Sequence, residues 1–203
     1  MRSPRGTVKI TWTRPALLLV WAVCLGATKA PTDLAPNPSV EQGDKKGKPV
    51  GWGHYENTPD EWGTTDKESH TGKRCAFLRI TGFGDDGYAC TGLAVGRTDG
   101  YSGREGIRAE PNATYHFSFH AAGYGFKREV TVQPWGFKAD GTGRDRSVKG
   151  VGLLPTPEWQ RYAGSFKTPA GVERVALMFF VYSLEDRDAE AGATLYVGNT
   201  SAV

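Results

Sequence analysis

From residue 128 to residue 138 the chain sets Thr131, Gln133, Trp135 and Phe137 at every second position, the spacing that puts side chains on one face of a strand. An indole flanked by an amide and a hydroxyl is suited to holding a sugar. A pyranose offers apolar C–H faces to a flat ring and a rim of hydroxyls to polar groups. Trp135, Gln133 and Thr131 are therefore the leading candidate binding residues. On another strand-like run His116, Ser118 and His120 alternate with Tyr115, Phe117 and Phe119. His116 and His120 would continue the polar edge, and Met178, Phe180 and Tyr182 would add an aromatic neighbour, if the three strands share a sheet. Tyr124, between two glycines, and Trp62, inside a polar stretch, complete the set. Trp62 reads equally well as a loop folded over the core and as the lip of a binding site.

The residues supply less for catalysis. There is no Gly-x-Ser-x-Gly elbow and no His-Glu-x-x-His pair. His116 and His120 on an extended strand stand roughly 13 Å apart, too far to chelate one ion. Asp85, Asp86, Glu185, Asp186, Asp188 and Glu190 leave open a pair of carboxylates across a cleft, as a glycosidase needs, although loop carboxylates are ordinarily just solvated. The expectation is a chain without catalytic residues.

Positioning these side chains falls to strands arranged around Pro157–Ser183. Two strand-like runs, Gln160–Lys167 and Glu173–Ser183, flank the turn Thr168-Pro169-Ala170-Gly171. The second run is apolar on both faces, Val175, Leu177, Phe179 and Val181 on one and Ala176, Met178, Phe180 and Tyr182 on the other. Such a strand is buried on both sides, or buried on one and aromatic toward solvent on the other. Further strand signals recur at short spacing, glycine is abundant, and no stretch carries a long amphipathic helix. The pattern is that of an all-β sandwich.

Residues 1–30 read as a secretory signal peptide: a basic start, an apolar run over Ala16–Ala27 and small residues near Ala30. The run is short for a membrane span, so a secreted protein, extracellular or periplasmic and off the membrane after cleavage, is expected. Five positive charges and no negative one leave with that segment, so the formal net charge of +3 becomes −2. Nucleic acid is thereby set aside as a partner, since phosphate binding needs a standing basic patch. Residues 31–36 read as a tether and 37–203 as one domain. Of three cysteines, Cys24 lies in the signal. Cys75 and Cys90 remain, and pairing is their expected fate in an oxidising compartment, with two unpaired buried thiols as the alternative.

Asn37-Pro38-Ser39-Val40-Glu41, Gly51-Trp52, Ser69-His70-Thr71-Gly72-Lys73 before Leu78-Arg79-Ile80, Glu110-Pro111-Asn112-Ala113-Thr114-Tyr115 with Ser118, and Glu158-Trp159-Gln160-Arg161-Tyr162 through Gly171 follow one another in that order. Together they resemble the CenC-type carbohydrate-binding module, over essentially the whole chain after residue 30. The resemblance implies a two-sheet, galactose-binding-like jelly roll that commonly binds a polysaccharide or oligosaccharide and often accompanies a glycoside hydrolase. It also implies a structural calcium near Glu41 and the last strand. There the family usually carries an aspartate pair, whereas here Val197 is followed by Gly198-Asn199, which leaves Glu41 and Asn199 as candidate ligands. By the same resemblance Trp52 and Trp159 are structural.

Three readings stand at this point. A non-catalytic carbohydrate-binding protein needs an exposed aromatic platform beside polar groups. A domain binding other secreted proteins needs a broad apolar patch without a groove. A small polysaccharide-acting hydrolase or lyase needs two carboxylates converging in a groove.

Overall fold

The computed structural model describes residues 33–56, 60–84, 88–96, 103–184 and 189–203. The expected signal peptide lies outside them, as do Asp85, Asp86 and residues 185–188. In chain order the strands are β1 (Trp52–Glu56), β2 (Asp60–Thr65), β3 (Cys75–Ile80), β4 (Tyr88–Val95), β5 (Ile107–Arg108), β6 (Thr114–Phe126), β7 (Val130–Phe137), β8 (Val151–Leu153), β9 (Gln160–Lys167), β10 (Arg174–Leu184) and β11 (Ala189–Ala202). No helix occurs among the described residues. The strands form two antiparallel sheets packed as a jelly-roll sandwich. The first runs β1-β4-β10-β7-β8, with β5 also on β10, and the second runs β2-β3-β11-β6-β9.

The strand apolar on both faces, β10, lies at the centre of the first sheet between β4 and β7. Its inward side chains, among them Leu177, Phe179 and Val181, meet Phe117, Phe119, Leu195 and Val197 of the second sheet in the main core. Phe179 stacks on Trp52 at 6.5 Å and takes the edge of Phe119 at 4.8 Å. Its outward side chains Ala176, Met178 and Phe180 are buried as well, in a second cluster with Ala94, Trp135 and Phe137. Of the two alternatives for such a strand, burial on both sides is therefore the outcome through Phe180, and Tyr182 emerges, 44% exposed.

The turn after β9 carries the chain from one sheet to the other, because β9 pairs with β6 while β10 pairs with β4 and β7. The same crossing separates β3 from β4 and corrects the expected Cys75–Cys90 bridge. A hairpin would have set the two cysteines side by side, but Cys75 lies in the second sheet and Cys90 in the first, and neither is in a disulfide. Cys75 donates its thiol to Glu68 O at 2.8 Å. Burial, followed by the nearby Glu68 charge, pushes that thiol up to about 12. Residues 33–36, expected as a tether, run beside the end of β11. Leu34 donates to Ala202 O at 2.7 Å, and Asp33 Oδ1 accepts from Ala202 N at 3.0 Å.

Candidate functional site

The outward positions of the first sheet gather most of the aromatic candidates. Register places Phe180 beside Gly92 and Thr131, Met178 beside Ala94 and Gln133, and Ala176 beside Trp135. Gly92 and Ala94 are small, which leaves room for Tyr55 of β1 to lean across. Its ring meets Phe180 edge-on at 5.3 Å and Trp135 at 6.0 Å. A side chain at Gly92 would run into Phe179 O, so the opening is set by the backbone. Trp135 lies 4.8 Å from Phe180, and Phe180 stacks on Tyr182 at 5.4 Å. The four rings form a continuous layer outside the main core.

The open ring expected at Trp135 is not present, since this side chain is 1% exposed. Its cover is a segment that carries no apolar signal. Gly136 and Asp145 exchange backbone hydrogen bonds of 2.8 and 2.7 Å, so residues 144–146 extend the sheet beside β7. With Asp145 opposite Gly136, alternation turns Arg144 and Arg146 to the face that holds Trp135. Their guanidinium carbons lie 4.7 and 5.7 Å from the Trp135 ring centroid. Gln133 anchors this segment by donating to Arg146 O at 3.0 Å and Val148 O at 2.9 Å, and it accepts the indole N–H at 3.3 Å. Thr131 is half-buried beside it. Thr131, Gln133 and Trp135 thus share a face as expected, but Gln133 and Trp135 serve as a backing layer and the solvent meets Tyr182, Tyr55 and the arginines. Burial raises the Tyr182 phenol above its ordinary value, with Cys90 reinforcing the shift and Arg146 and Arg144 opposing it.

His116, His120 and Tyr124 belong to β6 in the second sheet, which corrects the expectation that the two histidines would extend the polar edge around Trp135. Tyr124, 44% exposed, meets Tyr196 edge-on at 6.2 Å. His120 stacks face to face on His70 at 3.7 Å, and His70 in turn packs against Trp159 at 5.8 Å. Sequence reasoning gave His70 no part in a site, because its partner stands fifty residues away. Trp159, expected as core, is only half-buried, whereas Trp52 is in the core.

Trp62 lies on neither outer face. It sits on β2 at the margin where the two sheets meet, stacked on His54 at 5.0 Å, with the Lys48 ammonium 4.2 Å from its ring centroid. Lys48 Nζ also donates to Trp62 O. Behind it His54 Nε2 lies 2.9 Å from Asp60 Oδ2, and Thr91 donates its hydroxyl to the same carboxylate. A cleft of about 470 Å³ opens here, lined by Lys48, His54, Asp60, Glu61, Trp62 and Phe77. The side chain expected as a loop or lip is thus a strand residue already in contact with an imidazole and an ammonium.

The residues proposed for calcium do not fit that ion. Glu41 Oε1 accepts the backbone N–H groups of Lys73 at 2.7 Å and Arg74 at 3.2 Å. Gly72, at a φ of 76°, lets the loop close on that carboxylate, where any side chain would collide with it. Asn199 points its amide nitrogen at Thr71 Oγ1, 2.6 Å away, and at His70 Nδ1, 3.1 Å away. One carboxylate already engaged by donors is a poor beginning for a site that wants several hard oxygens. No group of three His, Cys, Asp or Glu side chains able to hold a metal occurs among the described residues.

Comparison with protein-family models and with curated proteins finds no match. Among solved structures, a family 16 carbohydrate-binding module is similar with a TM-score of 0.53 and 14% identity, over 84% of this chain and 99% of that one. A CBM22-1 xylan-binding domain from Paenibacillus barcinonensis Xyn10C is similar with a TM-score of 0.53 and 14% identity, over 87% of this chain and 96% of that one. The arabinose-bound MgGH51 α-L-arabinofuranosidase gives 0.56 and 14%, over 84% of this chain but 26% of its own. The chain therefore has the fold of carbohydrate-binding modules.

Proposed function

We propose that this chain is a non-catalytic carbohydrate-binding module that takes a saccharide on the outer face of the first sheet. The observation that carries the reading is the layer Tyr55–Trp135–Phe180–Tyr182, which lies outside the main core and reaches solvent at Tyr182. A sheet face turned to water is ordinarily polar, and a lasting aromatic layer there fits a ligand with a flat apolar side. In this reading Tyr182 stacks beneath a sugar ring and Tyr55 flanks it. The guanidinium N–H groups of Arg146 reach the hydroxyl rim. Trp135 and Gln133 hold the platform from below without touching the ligand. Within this class the order of motifs from Asn37 to Gly171 favours the CenC type, and the leader-like residues 1–30 favour action outside the cytoplasm.

A glycan array followed by calorimetric titration tests the reading. Tyr182→Ala should weaken binding at least tenfold, the order expected when a stacking ring and its buried area are lost, while thermal stability stays close to that of the parent. Unchanged affinity in a folded Tyr182→Ala protein would move the site off this face.

A further inference from the structure

We infer that the saccharide bound on this face is anionic and carries uronate carboxylates. The inference rests on the reading that the outer face of the first sheet binds a sugar, and it adds the charge of that sugar. No acid stands at an outward position within β7, within β10 from Arg174 to Tyr182, or within β4 from Cys90 to Ala94, and the nearest one on that face is Glu129, just before β7, whose carboxylate lies against Gly152 of β8. Cations outnumber it around the layer. Arg144 and Arg146 lie over Trp135, and Arg174 donates to Ala139 O and Gly106 O at the Phe137 end. The two acids near Arg144 and Arg146 in sequence are occupied elsewhere. Asp145 lies opposite Gly136 on the reverse side and accepts Ser147 N–H at 2.7 Å, and Asp140 accepts from Thr142 at 2.7 and 2.8 Å.

Position matters as much as sign. The backbone of residues 144–146 is fixed at both edges, by the Gly136–Asp145 pair and by Gln133. The guanidinium planes therefore start from a set place beside the ring layer. Arg146 is exposed. A guanidinium is a planar fork matched to a planar carboxylate, and such a contact is stronger and more directional than one to a hydroxyl. A neutral sugar would leave that fork's charge unused. A uronate stacked on Tyr182 would place its carboxylate, which projects from the ring edge, toward Arg146.

The test titrates the purified protein with polygalacturonate, alginate and glucuronoxylan, each against its carboxyl-reduced neutral counterpart, and with a sulfated galactan. At least one uronate polymer should bind ten times or more tighter than its reduced form, with affinity falling as salt rises from about 0.05 to 0.5 M. Arg146→Gln should erase that difference and leave the melting temperature in place, and Arg144→Gln serves as a second variant. Equal affinity for a polymer and its reduced form, with no loss in high salt, overturns the inference and leaves the saccharide reading standing. Tighter binding of the sulfated galactan than of every uronate overturns the carboxylate assignment. Absence of binding here and across a neutral glycan array removes the saccharide reading, and this inference with it.

Discussion

Each sheet carries a ring cluster on the face turned away from the core, and the two are built from different chemistry. On the first sheet Trp135, Phe180 and their neighbours form an apolar layer sealed by an arginine-bearing segment. On the second, His70 and His120 stack on one another beside Trp159, and the Nδ1 atom of His120 is buried with no partner among the described residues. The difference follows from the strands beneath. β10 is apolar at successive positions and has a second face to bury, whereas β6 alternates core phenylalanines with histidine and serine. The first cluster therefore behaves as a second core, and the second as a surface contact that a proton can alter.

Truncating the tryptophan of each cluster separates the two cases most strongly. Trp135→Ala removes a fully buried indole and should cost about 3–5 kcal/mol in denaturant unfolding. A cost under about 1 kcal/mol would mean that Arg144 and Arg146 collapse into the gap and that the layer is surface after all. Trp159→Ala removes a half-buried ring that touches His70, and about 1–2 kcal/mol is expected. Equal losses at the two positions would break the distinction between core and surface contact.

Part of this contrast is legible in the sequence. The two-sided apolar pattern of residues 175–182 marks an apolar outer face but leaves open whether it is covered, and the run Gln160–Lys167 has the bounds of β9. Asp60–Thr65 falls within a stretch, residues 58–72, that reads as polar loop because Trp62 is its single large apolar residue. It is a strand through its pairing with β3, which local pattern does not report. Sheet membership was likewise hidden. His116, His120 and Trp135 carry similar alternation, and only long-range register puts the histidines in one sheet and the indole in the other. The cover of Trp135 left no trace in sequence either, since residues 144–146 are held by backbone pairing and by Gln133 and show no hydrophobic period. The expected cysteine pairing fails for the same reason, because β3 and β4 diverge into separate sheets.

The smallest expected effect is the most specific to the second cluster. Burial first, then the neighbouring His70 and Arg161, hold the His120 imidazole below its ordinary value. Trp159 and Asn199 complete the surroundings through their contacts with His70, and neither offers a negative charge to favour the protonated form. The folded state thus binds fewer protons at this position than the unfolded chain does. Its contribution to stability is fully present above the ordinary histidine pKa of about 6.5 and is lost as pH falls from there through the lower folded value. The melting temperature of the parent protein should decline over that interval, and His120→Gln, which keeps a polar side chain but cannot titrate, should decline less. Trp135→Ala should show the parent's pH slope on a lower baseline, because nothing in the first cluster titrates there. Parallel curves for the parent and His120→Gln would show that the stacked imidazoles pass through protonation without cost, and the contrast between the two faces would then rest on burial alone.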